Sequence, residues 1–147
     1  MRYAHTNIIA KDWQKLVDFY IAVFECELKP PVRNQSGDWL SRGTGVSNAA
    51  LQGAHLLLPG HGENGPTLEI YQYSEIQDQE ALMPNHRGFG HLAFEVYSVH
   101  QTLRTMVEHG GHSLGDIVEK EVPGVGFITF TYARDPEGNL IELQSWS

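Results

Sequence analysis

The sequence predicts an α+β fold made by duplication of one strand–helix–strands module, with a mostly antiparallel sheet. A histidine-led strand with a helix-capping residue seven positions later occurs twice, as HTNIIAKD at His5–Asp12 and as HLAFEVYS at His91–Ser98. A short strand with a glutamate between apolar neighbours also occurs twice, in GPTLEIYQY from Gly65 and in GNLIELQSW from Gly138. Because these segments come in the same order, we predict that the two halves share one architecture.

The first module is predicted to begin with the strand after His5 and to continue with an amphipathic helix. Asp12 suits the N-cap of that helix, because a short side-chain oxygen accepts from free amide groups. The apolar residues that follow fall on one helical stripe: Trp13, Leu16, Val17, Tyr20 and Phe24. A further strand is predicted over Ala49–Leu58. The segment Pro30–Ser47 is rich in loop-forming residues, and we assign no helix or strand to it.

The second module is predicted to repeat this order. Ser98 suits the N-cap of its helix, and Gly110-Gly111 suits its end. Strands are predicted over Ser113–Val122 and Gly126–Ala133, before the final strand. We therefore expect one domain over 1–147, with module one over about 1–74, a linker over about 75–87 and module two over about 88–147.

Composition and charge exclude several classes of function. The chain has ten Lys and Arg residues and 18 Asp and Glu residues, which gives a formal net charge of −8. We therefore predict no basic surface that would bind nucleic acid. We also expect no membrane partner, since no apolar run approaches the roughly 20 residues of a span and nothing resembles a signal peptide. Cys26 is the only cysteine. A cytoplasmic location is therefore expected, with Cys26 packed in the interior rather than acting as a nucleophile.

The duplication puts two histidines and two glutamates at equivalent positions. His5 corresponds to His91, and Glu69 corresponds to Glu142. A single strand histidine or glutamate is ordinarily structural, but neither ordinary role explains four such residues at repeated positions. Two nitrogen and two oxygen donors suit Zn²⁺, Ni²⁺, Co²⁺, Mn²⁺ or Fe²⁺. We therefore predict that one divalent metal ion is bound by these four side chains.

The chain resembles the vicinal oxygen chelate superfamily, which includes glyoxalase I, methylmalonyl-CoA epimerase, extradiol dioxygenases and the fosfomycin and bleomycin resistance proteins. Four segments carry the resemblance: HTNIIAKDWQKLVDFY, GPTLEIYQY, GFGHLAFEV and ARDPEGNLIELQ. The resemblance implies two βαβββ modules that form a curved, mostly antiparallel sheet around a metal cavity. It also implies the same four metal ligands, His5, Glu69, His91 and Glu142.

The ligand order His, Glu, His, Glu is similar to that of bacterial glyoxalase I. The resemblance implies a metal-dependent lyase or isomerase that acts on an α-hydroxycarbonyl or related small molecule through a metal-bound enediolate. Glu69 or Glu142 would be the catalytic base. Glutathione-binding members carry Arg and Asn where this chain has Ile9 and Tyr73, so the substrate and the use of glutathione stay open.

Other candidate residues surround this predicted site. Arg87, four positions before His91, is a candidate partner for a substrate carboxylate. The alternative is that it is an ordinary solvent-exposed arginine of the linker. Four aromatic residues are candidates for pocket walls, or otherwise for the core: Trp39, Tyr71, Phe127 and Tyr132. The remaining histidines are expected mostly at the surface: His55, His61, His86, His100, His109 and His112.

Two other classes of function stay open within the resemblance. One is an extradiol-type dioxygenase, in which Glu69 would not bind metal. The other is a non-catalytic drug-binding resistance protein. We expect a homodimer, with its site closed within one chain or across the dimer interface, and with Trp146 and the first helix as contacts.

Overall fold

The computed structural model describes all residues, Met1–Ser147, and divides them into two compact units, Met1–Gln79 and Glu80–Ser147. The first unit consists of β1 (His5–Ile9), α1 (Trp13–Phe24), β2 (Glu27–Ser36), α2 (Asp38–Thr44), β3 (Ala50–Leu57) and β4 (Thr67–Tyr73). The second consists of β5 (Leu92–Glu95), α3 (Val99–Glu108), β6 (His112–Ser113), β7 (Val118–Val122), β8 (Gly126–Arg134) and β9 (Leu140–Trp146). This confirms the predicted α+β class. None of the helices has the length and apolar character needed to span a bilayer.

The sheet of the first unit has the strand order β1-β4-β3-β2. Its outer strand β1 is parallel to β4, and the other pairs are antiparallel. Helix α1 packs against β3 and β4, and the apolar residues Leu16, Leu68 and Ile70 are fully buried there. Because side chains alternate across a strand, Glu69 between Leu68 and Ile70 points away from the helix.

The sheet of the second unit repeats this arrangement. Its order is β5-β9-β8-β6, with β5 parallel to β9 and β7 also paired with β8. Helix α3 packs against β6, β8 and β9. The short strands β6 and β7 pair with the two ends of β8, where the first unit has the single strand β2. The predicted run Ser113–Val122 is therefore not one strand, because the chain leaves the sheet between β6 and β7.

Helices α1 and α3 begin where the sequence predicts, and α3 also ends where it predicts. The Asp12 carboxylate accepts a hydrogen bond from the Lys15 amide at 3.1 Å, and the Ser98 hydroxyl accepts one from the Gln101 amide at 3.3 Å. Helix α3 ends one residue before His109, and Gly110 then adopts a left-handed backbone with φ of +91°. Residues that have a side chain rarely adopt that backbone conformation, whereas glycine does so without strain.

The segment Pro30–Ser47 is more ordered than predicted. It contains most of β2 and all of α2. Pro30 and Pro31 are tolerated because β2 is an edge strand, where a missing amide donor leaves no partner unbonded. The pairing register of β2 with β3 shifts between Lys29 and Arg33, so the prolines lie at an irregularity of the ladder.

Candidate functional site

The first unit brings together two of the four predicted ligands, His5 and Glu69. In the parallel pairing of β1 with β4, Asn7 lies opposite Glu69, and His5 lies two residues earlier on the same side of β1. His5 Nδ1 is 3.3 Å from Glu69 Oε1. Glu69 is only 8% exposed, whereas the side chain of His5 is 46% exposed. The pair therefore joins a buried carboxylate to an imidazole that solvent can reach.

The second unit holds the other pair in the same register. Ala93 lies opposite Glu142 in the parallel pairing of β5 with β9, and His91 again precedes that residue by two positions. His91 Nε2 is 2.9 Å from Glu142 Oε2. The equivalence inferred from the sequence thus corresponds to equal strand positions in the two units.

The separations within the pairs fit metal coordination. Two ligands bonded to one ion at about 2.1 Å lie roughly 3.0 Å apart in an octahedral site and roughly 3.4 Å apart in a tetrahedral one. The observed distances of 2.9 and 3.3 Å fall close to this range. No three or more His, Cys, Asp or Glu side chains are grouped so as to hold an ion. The four predicted ligands are therefore brought together as two pairs, one in each unit.

His55 contacts Glu69 and is one of the six remaining histidines, which were expected mostly at the surface. It is directly opposite Glu69 in the antiparallel pairing of β3 with β4. His55 Nε2 is 3.1 Å from Glu69 Oε1 and 2.7 Å from the hydroxyl of Tyr71, and its side chain is 17% exposed. Sequence reasoning missed it because module two has no histidine at the equivalent position.

Burial and charge both act on His55 and its neighbours. Burial lowers the pKa of His55, the charge of Glu69 raises it, and Arg33 adds to the lowering. Burial also raises the pKa of Tyr71, and the charge of Glu69 adds to this increase. Arg33 donates a hydrogen bond to Tyr71, which works in the opposite direction. A continuous polar chain thus runs from Arg33 through Tyr71 and His55 to Glu69.

Tyr132 has the corresponding place in the second unit. It lies opposite Glu142 in the pairing of β8 with β9, and its ring meets that of His91 edge-on at a centroid distance of 5.0 Å. Burial raises the pKa of Tyr132, and both the charge of Glu142 and a hydrogen bond to that carboxylate raise it further. Each glutamate therefore has a polar side chain directly opposite on the antiparallel neighbour.

The other aromatic candidates differ in how they relate to these residues. Trp39 is 61% exposed on α2, whose neighbouring Leu40 packs with Leu51 against Tyr71 and Tyr73. Phe127 on β8 is 54% exposed. Tyr71 lies on the same face of the first sheet as Glu69, and α2 reaches that face through Leu40. Tyr132 lies opposite Glu142 in the second sheet.

Two further predicted residues lie away from the pairs. Arg87 is exposed in the segment that precedes β5. Cys26 is buried, and burial raises the pKa of its thiol to about 12. A thiol with that pKa carries almost no thiolate at neutral pH, so Cys26 is not a nucleophile, as the sequence predicts.

One family model and several solved structures are similar to this chain. The model of the Glyoxalase/Bleomycin resistance protein/Dioxygenase superfamily matches residues 2–143. A glyoxalase family protein from Bacillus cereus is 22% identical, with a TM-score of 0.75 over 99% of this chain and 93% of that one. A glyoxalase family protein from Enterococcus faecalis is 22% identical, with a TM-score of 0.61 over 97% and 96%.

A third similar structure is a fosfomycin resistance protein from Listeria monocytogenes, in complex with Mn(II) and sulfate. It is 15% identical, with a TM-score of 0.52 over 100% of this chain and 92% of that one. A search of curated protein sequences found no match. At these identities, the structural likeness shows a shared fold.

Proposed function

Because the chain belongs to the glyoxalase/bleomycin resistance protein/dioxygenase superfamily, we propose that it is a divalent-metal-dependent lyase or isomerase of the glyoxalase I type. Its substrate would be an α-hydroxycarbonyl or a related small molecule. One observation carries this proposal, the presence of a glutamate at the same strand register in both units, each with a histidine nitrogen within 3.3 Å. A second carboxylate serves proton transfer, whereas a site that must bind O₂ would be crowded by it.

The metal ligands in this proposal are His5, Glu69, His91 and Glu142. Imidazole and carboxylate donors suit Zn²⁺, Ni²⁺, Co²⁺, Mn²⁺ or Fe²⁺, and the proposal does not choose among these ions. When bound, such an ion supplies Lewis-acid polarisation of the substrate oxygens.

The glutamates supply the proton transfer. One carboxylate removes a proton from the substrate carbon next to the carbonyl group and returns it to the neighbouring carbon, so the reaction involves no net redox change. Both Glu69 and Glu142 are candidates for this role, because each carboxylate lies beside a histidine nitrogen at the same strand register. Burial of Glu69 keeps water away from its carboxylate, which strengthens its interaction with a bound substrate.

Substrate binding would involve residues around the pairs. Arg87 is proposed to bind a substrate carboxylate, with its guanidinium exposed and thus accessible. Trp39 and Tyr71 are proposed as apolar walls, since Leu40 beside Trp39 packs against Tyr71. We also propose that the working unit is a homodimer and that it operates in the cytoplasm.

The test combines metal analysis with kinetics on the unsubstituted protein and on the variants Glu69→Gln and His91→Ala. We expect one ion per chain in the unsubstituted protein and strongly reduced binding in His91→Ala, since an imidazole ligand is lost. Glu69→Gln should keep most of the metal, because an amide oxygen still coordinates. It should lose about 10²–10⁴-fold in rate if Glu69 is the base. The matched control is His112→Ala, which removes an exposed strand histidine outside the site.

Three outcomes would contradict the proposal. Substrate-dependent oxygen uptake with Fe²⁺, undiminished in Glu69→Gln, would establish an extradiol-type dioxygenase instead. Absence of any bound metal, together with tight binding of a drug-like ligand, would establish a non-catalytic resistance protein. Equal metal content in His91→Ala and in the unsubstituted protein would remove His91 from the ligand set.

A further inference from the structure

We infer that His55 is a positioning residue that orients the Glu69 carboxylate for metal binding. This inference rests on the proposed function, because it takes Glu69 as a ligand. It goes beyond that function, since neither the repeat nor the ligand pattern includes His55. The juxtaposition that carries it is His55 Nε2 at 3.1 Å from Glu69 Oε1 and at 2.7 Å from the Tyr71 hydroxyl.

The chemistry of the two groups fixes the direction of the contact. A carboxylate oxygen accepts hydrogen bonds and never donates them, so Nε2 must carry a hydrogen for this contact to be attractive. In the neutral ring, Nδ1 then accepts, and the Thr67 hydroxyl lies 3.5 Å from it. Contacts at both nitrogens thereby hold the His55 ring, and its Nε2 hydrogen points to the side of the sheet on which Glu69 and Tyr71 lie.

A close approach of the backbone at Gly53 allows the Tyr71 ring to take this position. A Cβ at Gly53 would lie 2.0 Å from the Ile70 carbonyl oxygen and 2.4 Å from Tyr71 Cδ1. The Tyr71 ring therefore occupies space that only a glycine leaves free, directly opposite on the sheet. From there its hydroxyl reaches His55, two residues further along β3 on the same side. Arg33 holds the same hydroxyl from β2.

The second unit has an equivalent arrangement around Glu142. The residue opposite Glu142 on the antiparallel neighbour is Tyr132, which is hydrogen-bonded to the Glu142 carboxylate. The position opposite the glutamate thus carries a hydrogen-bonding side chain in both units, although the residue type differs. Residues that hold metal ligands in this way typically contribute about 10–100-fold to metal affinity.

The test measures Co²⁺ binding to the full chain by its visible absorption, with Co²⁺ alone as the probe. His55→Leu removes the donor, and its dissociation constant should rise about 10–100-fold. His55→Gln keeps an N–H donor of similar reach and should restore most of the affinity. Tyr71→Phe removes one hydroxyl and should produce a smaller loss in the same direction. His112→Leu, an exposed strand histidine, is the matched control and should bind like the unsubstituted chain.

Two further readouts separate positioning from other roles. The absorption bands of the saturated Co²⁺ complex should be identical in His55→Gln and in the unsubstituted chain, since the ligands are unchanged. The melting temperature without metal shows whether each variant is folded. If His55→Leu does not fold, Tyr71→Phe is used to test the same group of contacts.

Each contrary result has a distinct meaning. Unchanged Co²⁺ affinity in His55→Leu and Tyr71→Phe, with binding intact in the unsubstituted chain, overturns this inference alone. Equal losses in His55→Leu and His55→Gln overturn the donor role. Altered bands in the His55→Gln complex show a direct ligand and overturn positioning. If the unsubstituted chain binds no Co²⁺, the proposed function and this inference both fail.

Discussion

At the scale of single residues, Glu69 shows how burial and polar contacts oppose each other. Its carboxylate is only 8% exposed, and moving an ionised carboxylate out of water is costly unless nearby groups compensate. His5 and His55 supply that compensation at 3.3 and 3.1 Å, and both contact the same oxygen, Oε1. A buried carboxylate beside two imidazole groups has the donor chemistry that a divalent metal ion prefers.

Cys26 provides a prediction that separates burial from reactivity. Because burial raises the pKa of its thiol from 9.0 to about 12, the folded protein binds this proton more tightly than the unfolded chain does. The corresponding stability is complete below pH 9 and is lost as the pH rises from 9 towards 12. We expect negligible reaction of the native protein with Ellman's reagent at pH 8 and one thiol per chain in guanidinium. Rapid stoichiometric labelling of the native protein at pH 8 would contradict the burial of Cys26.

The sequence predicts His5, His91, Glu69 and Glu142 because the repeat marks them. It does not predict His55, since its role depends on which residue of β3 lies opposite Glu69. A shift of that pairing by one residue would move His55 to the other face, and sequence alone does not define the register between distant strands. Arg87 is the converse case, because its spacing from His91 in the sequence is easily noted, yet no contact in the structure tests its role.

At the scale of secondary-structure elements, β3 and β4 are joined by a close approach at Gly53. In Gly53→Ala the new methyl group would overlap the Ile70 carbonyl and the Tyr71 ring, so the strands or the ring must shift. Overpacking of this kind costs typically about 1–3 kcal/mol of unfolding free energy. We expect a loss of that size in denaturant unfolding, with weaker Co²⁺ binding because Tyr71 is displaced.

Gly43 is the matched control for this prediction. It lies within α2, and a Cβ added there meets no atom within 4 Å. Gly43→Ala should therefore stabilise the protein by about 0.5–1 kcal/mol, as expected for a helix position without steric conflict. Equal effects of the two substitutions on the free energy of unfolding would show that Gly53 is not specially constrained.

The elements differ in how well the sequence predicts them. Helices α1 and α3 are predicted because an apolar stripe and an N-cap residue, Asp12 or Ser98, occur together. Strand β2 is not predicted, since two prolines and a register shift interrupt its pattern and edge pairing tolerates both. Helix α2 is too short for a periodic signal, and it is held by the packing of Leu40 on Leu51.

At the scale of the whole molecule, the duplication places one histidine–glutamate pair of the proposed ligand set in each unit. One unit supplies one histidine–glutamate pair, whereas catalytic metal sites ordinarily use three protein ligands and structural sites use four. The proposed set of four ligands therefore takes one pair from each unit. The second pair can come from the same chain or from a partner chain, and these two assemblies predict different behaviour in mixtures.

We expect a dimer of twice the chain mass of 16.5 kDa in light scattering at micromolar concentration, with two metal ions per dimer. Trp146 and Ile21 of α1 are both more than one-third exposed, which makes them candidate contacts.

Mixing His5→Ala chains with His91→Ala chains then distinguishes the assemblies. If each site combines two chains, a mixed dimer keeps one complete ligand set and binds one ion. If each site belongs to one chain, every site in the mixed dimer lacks a histidine and metal binding is not restored. A monomer that still binds one ion fully would refute both the dimer and the shared site, and would assign all four ligands to a single chain.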